Sequence, residues 1–174
     1  ANLSKAYADN RLFHKAFFSI NSQEKIGLVA RNGHGKTTLF RLLTGQEEPD
    51  TGTISLSRNY QMGYLSQHLS FSQNTVLAEA MTDCHNVEDW EIEHRLKAIL
   101  QGLGFSAEMM NSSPQTLSGG FQVRLNLAKL LASAPNLLLL DEPTNYLDII
   151  SLRWLSRFLN SWKGELLLIT HDHG

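Results

Sequence analysis

Cysteine is almost absent: Cys84 is the single thiol in 174 residues, so no internal disulfide can form and no cysteine pair has metal-ligand spacing. A reducing compartment fits. Long apolar runs are missing too. The stretch Leu137 to Leu140 falls far short of the ~18–20 residues that a membrane-crossing helix needs. No charged-then-apolar leader stands at the start, and the expectation is a cytoplasmic protein. Nor does one charge sign dominate: 15 Lys and Arg against 17 Asp and Glu leave a net charge of -2, which excludes the global basic field that draws proteins to nucleic acid. Recognition of a DNA sequence is not expected, and any RNA contact would be local. The histidines are scattered. Their one close pair, His171 and His173, flanks Asp172 and is not read as a metal site.

What is present begins with 42% hydrophobic residues, enough at this length for one substantial core and not for two. Arg11 to Ile20 reads as extended, and Lys25 to Ala30 as a short strand running into a glycine-bearing loop. From Lys36 to Thr44, Leu39, Leu42 and Leu43 fall at helical spacing, and Gly45 follows as a stop. Thr53 to Ser57 and Met62 to Leu65 read as short strands of a side sheet. Helices are expected over Thr75 to Thr82 and Val87 to Leu103, and another from Ser118 to a stop at Pro135. Asn136 to Leu140 is a continuous apolar run, as in a parallel strand buried on both faces, and Leu166 to Thr170 repeats it. Leu152, Leu155, Leu159 and Trp162 define a crossover helix between them, closing a βαβ unit.

Three clusters carry chemistry. Ala30-Arg31-Asn32-Gly33-His34-Gly35-Lys36-Thr37 fits the phosphate-loop pattern GxxxxGK(S/T) except that Ala30 replaces the first glycine, where a Cβ restricts the backbone. Backbone N–H groups of Asn32, Gly33, His34 and Gly35 would cradle an anion in front of a helix N-terminus. Lys36 would neutralise the β- and γ-phosphates, Thr37 offer its hydroxyl to Mg²⁺, and Thr38 reach the α-phosphate side. Asp141-Glu142 follows the apolar strand, at the end of a parallel strand where ligands of open sheets bind. Asp141 is placed to hold Mg²⁺ through water and Glu142 to act as general base. Alone, the pair would read as loop acids. Leu117-Ser118-Gly119-Gly120-Phe121 would, alone, read as a serine cap with two glycines.

Together these motifs resemble an ATP-binding cassette (ABC) ATPase, with ARNGHGKTT as Walker A, LLLLDEP as Walker B and LSGGF as the signature. The resemblance implies an α/β P-loop NTPase fold: an ABC-type nucleotide-binding domain with a parallel core sheet, an antiparallel β side sheet and a helical subdomain, C-terminally incomplete. It implies one domain over 1–174, with core 1–70 and 117–174 and a helical subdomain of about 71–116. By it, Tyr7 stacks on adenine, and Gln67 is the Q-loop residue sensing Mg²⁺ and the γ-phosphate. Asp148 belongs to the D-loop, and His171 is the switch on the γ-phosphate. Ser118, Gly119 and Gly120 contact ATP held by a second cassette, in the same chain or in a homodimer. ATP and Mg²⁺ are the implied ligands.

Finer matches resemble the soluble ABC-F subfamily, which acts on ribosomes: DEPTNYLD, Phe121 after the signature, and Arg124 to Leu131. Tyr146 replaces a usual His, and His173 a usual Arg. The long helical arm of ribosome-bound members is expected to be short or absent, because Gln67 and Ser118 stand too close in sequence to contain it. Trp90, Ile92 and Leu96 are read as ordinary packing of a helical subdomain. The ribosome is the partner this reading implies; the alternative is the motor domain of a membrane transporter. Ending shortly past His171, the chain is expected to be part of a twin-cassette protein, weak in ATP binding and turnover by itself.

Overall fold

A leucine run, Leu137 to Leu140, places one of the two inner strands of the parallel sheet. The computed structural model describes residues 2–7, 10–29, 35–65, 70–82 and 89–170. These group into two compact units, one drawn from 1–64, 136–142 and 164–174, the other from 65–135 and 143–163.

In the first unit, β1 (Leu3–Tyr7) and β2 (Asn10–Ala16) pair antiparallel as a ribbon. β3 (Lys25–Val29), β4 (Met62–Tyr64), β5 (Leu137–Asp141) and β6 (Glu165–Thr170) form a parallel sheet in the order β3-β6-β5-β4. Leu138, Leu139 and Leu140 are fully buried, as expected of a parallel strand covered on both faces. Helix α1 (Lys36–Leu43) lays Leu39, Phe40 and Leu43 against Leu137, Leu139, Leu167 and Ile169. Each such side chain contributes roughly 1.5–3 kcal/mol by leaving water. Past α1, Gly45 turns the chain with φ of +71°, a conformation that glycine adopts without steric cost.

Two expectations need correction. Residues 53–57 form no strand; Leu56 is exposed, and the nearby pairing is a single bridge between Ser4 and Thr51. Met62–Tyr64 is a strand, but it lies in the parallel sheet, not a side sheet. Asn136 anchors it by donating its N–H to the Gln61 carbonyl (2.9 Å) and accepting the Gln61 N–H on its side-chain oxygen (2.8 Å). Tyr64 then meets Phe40 edge-on at 5.5 Å. Within the extended stretch from Arg11, the strand runs to Ala16.

Tyr60, just ahead of β4, donates to Glu165 at 3.2 Å. Burial, reinforced by that carboxylate, pushes its phenol up to about 12. A raised folded value means that the fold keeps its proton where the unfolded chain loses it. Stability should therefore fall as pH rises from about 10 through about 12. Tyr60→Phe should remove part of that alkaline slope in urea melts at pH 9 to 12; an identical slope in both proteins would contradict the assignment.

The second unit is helical: α2 (Val76–Met81), α3 (Asp89–Gly102), α4 (Ala107–Asn111), α5 (Gly119–Ala132) and α6 (Ile149–Ser161), with 3-10 turns at Pro114–Thr116 and Pro143–Tyr146. Thr75 and Ser106 cap α2 and α4 by accepting the N–H groups of Ala78 and Met109. Ile92, Leu96, Ile99, Leu100 and Leu103 are buried, so this face of α3 is packing. Among buried charges, Glu79 on α2 accepts from Lys129 on α5 at 2.7 Å and from the Ser72 and Gln73 amides at 2.8 and 2.9 Å. Burial alone would push the Glu79 carboxyl up; Lys129 and the two amides outweigh it and hold the group below its ordinary value.

Candidate nucleotide site

The site in the first unit starts from the glycine that opens α1. Gly35 is its N-cap with φ of +82° and has no side chain with which to cap the helix. A Cβ there would lie 3.2 Å from the Phe13 ring and 3.3 Å from Leu12, so both backbone angle and space favour glycine. The first-turn amides, which no helical carbonyl can satisfy, give this end its partial positive charge.

Lys36 is the first helical residue and is 8% exposed. Its ammonium donates to Glu142 at 3.1 Å, joining the start of α1 to the residue that follows β5. Glu142 has φ of +48°, a left-handed backbone that costs a non-glycine residue of order 1 kcal/mol or more. Its N–H donates to Ile169 of β6 at 3.0 Å, which fixes the turn. Asp141 ends β5 and is half-buried. After burial, its charge is the next cause that raises the Tyr64 phenol. Thr37 is exposed and Thr38 buried on the first turn of α1. Thr37 and Asp141 thus supply hard oxygen donors of the kind Mg²⁺ takes, and no group of three acidic, His or Cys side chains among the described residues forms a protein-only cage. Oxygen donors of this kind fit Mg²⁺.

Tyr7 ends β1, partly exposed, with its hydroxyl donating to Glu47. Asn32, Gly33, His34, Gln67 and His171 lie outside the described residues, as do Ala30 and His173.

The second unit carries the other predicted residues. Ser118 occupies the N-cap position of α5, yet its side chain makes no cap hydrogen bond, so simple capping does not account for it. Apart from their chain neighbours and the backbone of α5 itself, no atom of the described residues lies within 4 Å of where a Cβ would stand on Gly119 or Gly120. Asp148 caps α6 by accepting the Ile150 and Ser151 amides at 3.0 and 2.9 Å. It also accepts from Arg124 at 2.9 Å. The Ser151 amide first, then Arg124, hold its carboxyl down to about 2. Arg124 itself escaped the sequence reading as a site-organising residue. It donates to the Tyr146 and Leu103 carbonyls at 2.7 and 3.1 Å and lies 4.7 Å over the Phe121 ring, tying the start of α5 to the start of α6.

A family model described as ABC transporter matches residues 13–145. The chain belongs to the ABC family. Curated relatives of this cassette include ABC transporter F family member 2 of Arabidopsis thaliana, 36% identical over 172 residues that cover 98% of this chain and 25% of that protein. The energy-dependent translational throttle protein EttA of Escherichia coli O6:H1 is 38% identical over 174 residues, covering 99% of this chain and 31% of that protein. Across the curated relatives it matches, the cassette spans 41% of their length or less. Among solved structures, the ATP binding subunit of an ABC transporter superposes with a TM-score of 0.82 over 98% of this chain and 78% of that one. At 23% identity, that likeness concerns the fold alone.

Proposed function

We propose that this cassette binds MgATP and hydrolyses it as one half of a pair, in a protein directed at the ribosome. The observation that carries the reading is the 3.1 Å contact between Lys36 and Glu142, a lysine at a helix N-terminus and a carboxylate at a strand end converging on one point. A γ-phosphate is the anion Lys36 would take in exchange for that carboxylate. Glu142 then accepts the proton of a water whose oxygen bonds to the γ-phosphorus as the bridging oxygen leaves with ADP. Lys36 and the α1 amides stabilise the charge that builds on the phosphoryl oxygens. Thr37 and Asp141 would hold Mg²⁺, whose charge would offset that of the triphosphate.

By this reading the amides of Asn32, Gly33, His34 and Gly35 would serve the remaining phosphate oxygens, with Thr38 on the α-phosphate side and Tyr7 stacking on adenine. Gln67 and His171 read the γ-phosphate. Ser118, Gly119, Gly120 and Asp148 serve the ATP of the partner cassette, so closure depends on ATP and reopening on its loss. The ABC-F relatives and the translational name of one of them support the ribosome as target rather than a membrane partner.

Lys36→Ala should weaken MgATP binding by roughly 10–150-fold, the worth of a charge-assisted contact. Calorimetric titration measures it. Equal affinity in both proteins, or no binding of MgATP by the wild type, would contradict the reading. For the finer claim, the Glu142→Gln protein should co-sediment with ribosomes in MgATP and lose that association when Lys36→Ala is added.

A further inference from the structure

Tyr7 is 44% exposed at the end of a strand, and an exposed ring gains little by being held still unless something must land on it. It is nevertheless tied at its hydroxyl, which donates to Glu47 in the turn after α1. Around that bond stands a second set of contacts that already holds β1 to the same turn. Lys5 pairs with Glu47 at 3.0 Å and Asp50 at 3.3 Å and donates to the Glu48 carbonyl at 2.9 Å, while the Ala6 amide donates to Asp50 at 2.8 Å. Strand and turn would therefore stay together without the phenol. The Tyr7–Glu47 bond instead fixes the ring, and the Lys5 ammonium sits 5.4 Å from the ring centroid.

We propose that Glu47 is a positioning residue for the nucleoside end of the substrate, latching the Tyr7 hydroxyl so that the ring is already oriented when a purine stacks on it. This rests on the reading of Tyr7 as the adenine-stacking residue. The carboxylate beside it raises the phenol, and the phenol in turn lowers Glu47, so both partners stay in the bonding protonation state through neutral pH.

The test compares MgATP with inorganic tripolyphosphate in Mg²⁺, which keeps the phosphates and lacks the base, by calorimetry on the chain. Glu47→Ala and Tyr7→Phe should each weaken ATP about fivefold, the worth of one hydrogen bond, with tripolyphosphate affinity unchanged. Glu47→Gln, whose amide oxygen still accepts, should keep most of the ATP affinity. If ATP and tripolyphosphate weaken equally, Glu47 merely supports the fold and the latch is wrong. Tyr7→Phe, which removes one surface hydroxyl, decides the matter even if Glu47→Ala does not fold. A wild type that binds tripolyphosphate and ATP equally well overturns the stacking role and the latch together. A wild type that favours ATP, with that preference intact in Tyr7→Phe and Glu47→Ala, overturns the latch alone.

Discussion

Glu142→Gln is expected to lower ATP turnover by about 10²–10⁴-fold while MgATP binding is retained. Glutamine keeps the shape of the side chain and its oxygen can still accept from Lys36, which Glu142 meets at 3.1 Å. It cannot take a proton from the attacking water. The left-handed backbone at this position, with φ of +48°, is equally available to glutamine, so the turn and its 3.0 Å bond to Ile169 should persist. Binding should be as tight as in the wild type or tighter, because one negative charge leaves the neighbourhood of the triphosphate and no longer competes for Lys36. Phosphate release and nucleotide titration on the same preparation separate the two effects. Undiminished turnover would remove Glu142 from the chemistry.

Lys129→Met should destabilise the helical unit by about 3–5 kcal/mol, or roughly 6–20 °C in melting temperature. The loss comes less from the 2.7 Å contact than from what stays behind: a Glu79 carboxylate with a side chain only 2% exposed. The Ser72 and Gln73 amides still hold it, but the Lys129 charge that balances it is gone. Replacing both partners, Glu79→Leu with Lys129→Met, should recover most of the loss, since apolar side chains of similar volume often equal a buried pair in stability. Urea melts of the single and double variants read this out. A single variant within 1 kcal/mol of wild type would show that the pair carries little.

What could be read from the sequence follows the range of the forces involved. The Leu137–Leu140 run and the spacing of Leu39, Leu42 and Leu43 report local burial, and β5 and α1 appear where those patterns stand. Lys36 and Glu142 stood out because phosphate chemistry asks for particular residues at a loop and at a strand end, and the structure brings the two within 3.1 Å of each other. The sheet position of Met62–Tyr64 did not stand out, because a short strand has no periodicity of its own and is placed by Asn136, distant in the chain. Arg124 was invisible as a clamp for a similar reason: two of its acceptors are backbone carbonyls, of Leu103 and Tyr146, which leave no mark on residue identity. Nor does a glutamate announce a positive φ. Asp148 was read for its motif alone, although an Asp ahead of Ile149 and Ile150 also carries the cap signal that the structure realises.

The most direct measurement is MgATP turnover per molecule of the wild-type chain across a dilution series, with Glu142→Gln alongside. Turnover that is lost in the variant and that falls on dilution is the expected result, because one cassette would supply Lys36 and Glu142 and its partner Ser118 and Gly120. Wild-type turnover indifferent to dilution, or surviving in the variant, would contradict ATP hydrolysis by paired cassettes.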